Sequence, residues 1–407
     1  MNIHSASPDI ARPLAATQAG AVRFEALDSW RGIAAIMVVL FHAPIESHVH
    51  EFHLVRAGEM FVDFFFVLSG FVIAHAQVAR LTTGRDLAKF LFLRIGRLYP
   101  LHLAVLALFV VFELAKAQMP GMHNPADPAF SGTNEPAYLI SNLLLVQALW
   151  PTDTLSWNTP SWSISAEYVA YTLFGLALLM PRRALPLLLA ATALMMPAVL
   201  YVFSDRGMQS TVQFGVVRAL YGFAVGALVH VLLSRRILMT RRARGEGNPT
   251  LGWSALELAA AGAAIAIVWV GYDGDAALAA PLVFGLAVCV FAVEGGALSR
   301  VLRTPLPLLL GTLSYSIYMV HLLVQLRMMN VARLAGSLTG HDFLRETGAT
   351  ARYGLSIDSG NAYVGDLLIV IMLMLTLGVS LFTYRLVEMP GQALFRSWAT
   401  RLFPDRR

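Results

Sequence analysis

Histidines and carboxylates set inside long apolar runs are where this sequence carries its chemistry. His42 closes the run that opens Leu27-Asp28-Ser29-Trp30-Arg31-Gly32, and Asp63 sits in Phe61-Val62-Asp63-Phe64-Phe65-Phe66-Val67-Leu68-Ser69-Gly70-Phe71. Glu167 lies in Ser161-Trp162-Ser163-Ile164-Ser165-Ala166-Glu167-Tyr168, and His321 ends Ser314-Tyr315-Ser316-Ile317-Tyr318-Met319-Val320-His321. Ionisable groups at membrane depth are costly and collect at sites of function. A neutral imidazole there accepts a proton, and a carboxylate such as Asp63 would orient the ring and stabilise the imidazolium. On a helix, Asp28 and Arg31 share a face, and His42 returns to nearly the same angle about 16 Å beyond Arg31. A structural reading stays open: Arg31 at the head-group level, His42 against a neighbouring carbonyl, and the buried polar groups joined in a network that holds helices together.

These residues need elements to position them, and composition says what those elements are. The 407 residues are 57% hydrophobic and 14% charged, with a mean hydropathy of +0.64. Such a chain is a polytopic membrane protein. Its net charge of +5 comes from arginines in short connections between apolar runs, so these set topology and do not form a nucleic-acid surface. The single cysteine, Cys289, offers neither a disulfide nor a thiolate metal site. His48, His50 and His53 cluster without a nearby acidic partner, so no metal is expected there.

Ten apolar runs are long enough to cross a bilayer: 27–45, 60–78, 98–117, 162–180, 185–203, 213–233, 252–270, 277–293, 306–327 and 363–385. The fold class is therefore all-α, with about ten transmembrane helices. The first run lacks a cleavage site and reads as a retained span. Basic connections at 80–97, 182–183, 235–244, 300–303 and 396–407 fall on one side only if 138–150 does not cross. The positive-inside rule then puts both termini in the cytoplasm. The 138–150 segment reads as re-entrant or interfacial at the outer surface, with Trp150 and Trp157 as anchors. The domain plan is a polar cytoplasmic segment at 1–24, a ten-helix transmembrane domain at 25–388 and a basic cytoplasmic tail at 389–407. The outer connections 118–137 and 331–362 read as loops, either spacers or the rim of an acceptor site.

With topology fixed, depth follows. His42, Asp63, Glu167 and His321 come to a common outer depth and are expected to face one another across a polar cavity. Ser69 falls near the bilayer middle. Ser163 lies one turn from Glu167, and Ser314, Tyr318 and His321 share a helical face. Arg94 and Arg97, beside Tyr99-Pro100, read either as positive-inside anchors or as a phosphate clamp, since guanidinium forks suit such groups.

Taken together, the motifs quoted above, with Arg94 and Arg97 before Pro100, resemble the acyltransferase 3 family of integral-membrane acyltransferases. They span residues 27–321 in the expected order. The resemblance implies transfer of an acyl group, typically acetyl, from cytoplasmic acyl-CoA to a hydroxyl of a lipid-linked or periplasmic glycan at a bacterial inner membrane. It places the family's essential histidine on His42, its motif arginine on Arg31 and its paired arginines on Arg94 and Arg97. Acyl-CoA is then a donor substrate and no cofactor is permanently bound. Ser161 stands where many members have histidine, which removes any role for that histidine here. No hydrolase-like domain of the kind some members append follows, which implies that the membrane domain completes transfer alone.

The chemistry fits. A sugar hydroxyl is a poor nucleophile, so transfer from a thioester needs a base on the hydroxyl and donors for the oxyanion. His42 is the expected base. Glu167, Tyr318 and His321 would line the acceptor side, and Ser69 or amides near Gly70 would meet the oxyanion or the donor. An acyl-serine on Ser69 is the alternative to direct transfer, which needs fewer assumptions. The competing class is a transporter, but no repeated half with broken helices is visible.

Overall fold

The computed structural model describes residues 22–118, 128–149, 154–245, 248–272, 274–346 and 354–404. In chain order the helices are α1 Glu25–Phe41, α2 His53–Arg56, α3 Phe61–Gln77, α4 Gly84–Gln118, α5 Leu139–Leu143, α6 Trp162–Leu178, α7 Leu185–Phe203 and α8 Gly215–Arg244. Then come α9 Leu251–Gly271, α10 Ala280–Phe291, α11 Ala297–Leu302, α12 Pro305–Thr339, α13 Ala362–Thr383 and α14 Met389–Leu402. The fold is all-α but for one two-stranded antiparallel ribbon, β1 Leu344–Glu346 with β2 Leu355–Ile357.

Each of the ten apolar runs carries a helix. Seven stretches of the described residues are long and apolar enough to cross a membrane: Gly58–Gln77, Gly84–Gln118, Leu185–Phe203, Gly215–Arg244, Leu251–Gly271, Pro305–Thr339 and Ala362–Leu402. Helices α1 and α6, at 17 residues each, and the apolar helix Asp275–Phe291 are shorter. Large side chains such as Leu187, Leu194 and Met374 stand exposed on the outside, as a lipid-facing surface requires.

Two parallel helix pairs position the polar residues. Helix α1 runs beside α12, and a Cβ on Gly32 would run into the Gly311 amide nitrogen. Helix α3 runs beside α8, where a Cβ on Gly226 would run into the Val67 carbonyl oxygen. Without a hydrophobic drive between helices in lipid, such close backbone approach supplies the packing attraction. Any side chain at these glycines would push the helices apart.

Several connections differ from the sequence expectations. The 331–362 stretch is not simply a loop: α12 continues to Thr339, is capped by Gly340 at φ +73°, and leads into the ribbon. Ile357 exchanges backbone hydrogen bonds with Pro44 and Glu46, so the ribbon is stitched to the chain just beyond His42. Within 138–150 only α5 is helical, and it is too short to span. Trp157 is no surface anchor; it is 1% exposed and donates its indole N–H to the Glu135 carbonyl, because φ of +52° turns it inward. Trp150 lies outside the described residues, as does most of 1–24. The tail is not free of the bundle: α13 passes through a π-helical turn, Tyr384–Glu388, into α14. There Phe395 packs on Gly96 and Phe92 of α4.

His48 and His53 go to different partners. His48 Nδ1 lies 2.8 Å from Asp366 Oδ2, whereas the His53 ring stacks on Trp269. The Asp366 hydrogen bond raises the His48 pKa above the usual imidazole value. Its stabilising effect is therefore fully present below the unfolded value and is lost as pH rises through the raised one. Amide hydrogen exchange in 48–51 is expected to quicken across that alkaline step, and Asp366→Asn to abolish the step.

Candidate active site

The C-terminal end of α1, beside α12, brings two histidines together. The rings of His42 and His321 lie 5.0 Å apart between centroids. His42 Nδ1 is 2.8 Å from the Val38 carbonyl oxygen, one turn back on its own helix. A carbonyl only accepts, so Nδ1 carries the hydrogen and the neutral ring has its lone pair on Nε2. His321 is held alike, with Nδ1 2.7 Å from the Tyr318 carbonyl oxygen. His321 is fully buried and His42 is 9% exposed, so His42 is the ring an entering molecule reaches.

The same end is closed by α6. Tyr318 donates its hydroxyl to the Pro160 carbonyl at 3.0 Å and lies 2.8 Å from Ser163 Oγ. Asn158, fully buried, donates to the Met319 carbonyl. One turn below His42, Gln325 donates to the Val39 carbonyl. The Tyr318 and His321 face expected from sequence thus meets Ser163, with His42 across from His321.

Arginines occupy the layer below. Arg31 donates from Nε to Ser314 Oγ at 2.9 Å and from Nη2 to the Gly311 carbonyl at 3.1 Å, with Asp28 at 3.5 Å. Arg97 neighbours Arg31, and Glu388 interacts with both. Tyr315 donates to the Leu98 carbonyl beside them. Arg94 hydrogen-bonds Tyr171, which also bonds Glu167 and lies 3.0 Å from Ser69 Oγ. Arg94 and Arg97 thus point into the bundle among hydroxyls and carboxylates, which a pair of surface anchors would not do.

Two of the four residues expected at one depth belong elsewhere. Asp63 is not available to orient His42: its carboxylate takes both forks of Arg218, at 2.7 and 2.8 Å, with the acid 0% and the guanidinium 1% exposed. Arg218 also donates to the Glu59 and Ser210 carbonyls and lies over the Trp162 ring. Glu167 joins Arg94 and Tyr171 in the lower layer instead of lining the histidine end. Gly70 offers no oxyanion site either, since its Cα face is pressed on the Phe223 carbonyl of α8. The orienting group for His42 is a main-chain carbonyl, the partner that the structural reading of the sequence allowed.

Sequence reasoning missed Arg218 and Glu388. Arg218 follows a polar connection and reads as one more basic residue near a span end. Glu388 sits in Leu386-Val387-Glu388-Met389-Pro390, beyond the last apolar run. The π-helical turn swings it inward, where it is 2% exposed and accepts from Ser316 at 2.8 Å and Gln392 at 3.1 Å. Such turns concentrate at functional sites, and Glu388 supplies the carboxylate that faces Arg31 and Arg97.

Known proteins are similar to this chain in sequence. The chain is 31% identical over 166 residues to acyltransferase MdmB of Streptomyces mycarofaciens, a match covering 38% of this chain and 39% of that protein. It is 33% identical to protein 2 in the picA locus of Rhizobium radiobacter, covering 43% of this chain and 95% of the relative. It is 28% identical to the exopolysaccharide production protein ExoZ of Rhizobium meliloti over 70% of this chain and 80% of the relative. No solved structure matches it. The family model described as acyltransferase domain matches residues 24–385, a range that holds both the histidine pair and the arginine layer, and the chain belongs to this acyltransferase 3 family.

Proposed function

We propose that this protein moves an acyl group, most simply acetyl, from cytoplasmic acyl-CoA to a hydroxyl of a carbohydrate acceptor at the outer side of a bacterial inner membrane. The observation that carries this reading is the two-layer arrangement of polar groups along the α1/α12 pair: guanidinium groups in one layer, a fixed histidine pair in the other. Arg94 and Arg97 would take the phosphates of the donor, with Arg31 and Glu388 shaping the path its thioester arm follows. Ser69, tied through Tyr171 to Arg94, belongs to this donor layer. From Arg31 the arm has about 16 Å of helix to climb before its carbonyl meets His42.

At the histidine end, His42 Nε2 accepts the acceptor's hydroxyl proton as the oxygen attacks the thioester carbonyl. The tetrahedral intermediate collapses by breaking the carbon–sulfur bond, and the imidazolium returns its proton to the departing thiolate. The Val38 carbonyl holds the ring in the tautomer this requires, and His321, Tyr318 and Ser163 line the acceptor side. ExoZ is named for exopolysaccharide production, which supports a glycan acceptor. Both termini and the basic connections lie in the cytoplasm in this arrangement.

The donor layer is tested by binding. Arg94→Lys replaces a bidentate fork with a point charge and is expected to weaken acetyl-CoA binding about tenfold, near the free energy of one charge-assisted hydrogen bond. Calorimetry on the purified protein reads this directly. Unchanged affinity in an Arg94→Ala, Arg97→Ala double variant would show that both arginines serve topology alone.

A further inference from the structure

The last helix, α14, packs one edge on α4 and leaves a second apolar edge bare. Leu394, Trp398 and Leu402, four residues apart and so aligned in one stripe, all stand exposed. We infer that this stripe is sunk in the boundary between head groups and acyl chains of one leaflet, so that α14 is an interfacial helix and not a tail in water. The leaflet is the one on the side of Arg182 and Arg183, cytoplasmic in the arrangement above.

Depth is the first observation. Helix α6 ends at Leu178, just ahead of Arg182-Arg183, and the first turns of α4 lie against that end. Phe90 meets Tyr171 edge to face, and a Cβ on Gly175 would run into Leu87. Helix α14 lies in turn along the same turns of α4, in the opposite direction. Gly391 sits on Pro100 and Phe395 on Gly96, Phe403 meets Phe92, and Arg85 donates to the Pro404 carbonyl at 2.9 Å. Helix α14 is therefore alongside the end of a membrane helix instead of beyond it.

Continuity and composition point the same way. Helix α13 alone, at 22 residues, is about 33 Å long and already crosses a hydrocarbon core of about 30 Å. The exposed apolar face it turns to lipid does not stop there: Leu375, Phe382 and Leu386 lead on to Leu394 and Trp398. Tryptophan is enriched at head-group level. The opposite arc of α14 carries Arg396, Ser397 and Thr400, all exposed, and Arg401 borders the stripe. An apolar stripe with tryptophan and a polar arc with arginine is the pattern of a helix lying in the interface plane. The same helix reaches the donor layer, because Gln392 donates to Glu388 at 3.1 Å and Arg396 donates to Gln392. The leaflet thus helps to hold the carboxylate that faces Arg31 and Arg97.

The test uses the full chain in lipid nanodiscs, with Cys289→Ser removing the native thiol and a bimane label attached through Ser397→Cys, Trp398→Cys or Leu402→Cys. Two quenchers are compared: iodide in the water, and a phospholipid carrying a nitroxide just below its head group. The lipid quencher is expected to act at 398 and 402 at least about twofold more strongly than at 397, and iodide in the reverse order, as an apolar face about 5–10 Å into the boundary requires. Leu402→Cys keeps the test sound if Trp398→Cys, which loses a ring contact with Phe395, disturbs the helix. Iodide that reaches 398 and 402 as freely as 397 would put α14 in water and overturn the inference. Shielding of 398 and 402 from both quenchers would put a second copy or another protein on the stripe and overturn it equally. Neither result depends on the acyl group or the acceptor, so the proposed reaction stands or falls separately.

Discussion

Alanine at position 42 is expected to lower acyl transfer at least about 10²-fold, the contribution of a positioned general base, with protein level and acyl-CoA binding close to wild type. The binding expectation follows from the layering: the donor's phosphates are assigned to Arg94 and Arg97, in the layer of Arg31, which lies about 16 Å along α1 from His42. His42→Asn refines the test. An asparagine amide nitrogen occupies nearly the place of Nδ1 and keeps the bond to the Val38 carbonyl, but nothing replaces Nε2. It is expected to be as inactive as alanine and better packed. Loss of the protein from the membrane in both variants would instead assign His42 to helix packing.

The second large effect concerns stability. Removing one partner of the Asp63–Arg218 pair leaves an uncompensated charge in a fully buried site, and Asp63→Ala or Arg218→Ala is expected to cost about 3–5 kcal/mol. Replacing both, as Asp63→Leu with Arg218→Met, is expected to recover most of that loss, because a buried pair is often no better than well-packed apolar groups. The comparison forms a double-mutant cycle, read as thermal stability in detergent. Activity that returns with stability identifies the pair as scaffold. A stable double variant without activity would give Asp63 a direct part in the chemistry.

What was legible in the sequence divides along helix depth and helix rotation. Apolar runs locate the helices, so each of the ten runs carries one, although α4, α8 and α12 extend well past their runs. The Ser314, Tyr318 and His321 stripe is legible because a single helix's period places it. Which way α3 and α6 turn is set by glycine contacts with their neighbours, and no periodicity within one helix reports that. Asp63 therefore went to Arg218, and Glu167 to the arginine layer instead of the histidine end. Arg218 was hidden because a basic residue near a span end already has an explanation, and Glu388 because the π-helical turn that brings it inward has no sequence signature. The ribbon after α12 was read as loop, since its two strands are three residues each.

The most direct test of the account is the fate of label from [14C]acetyl-CoA supplied to the purified full chain in nanodiscs, with carbohydrate from the producing cells as acceptor. The account predicts that wild-type protein delivers the label to carbohydrate as an alkali-labile oxygen ester and that His42→Asn does not, although it binds acetyl-CoA as wild type does. Label that stays on CoA with wild-type protein and every carbohydrate fraction, or an ester formed at the wild-type rate by His42→Asn, would contradict it.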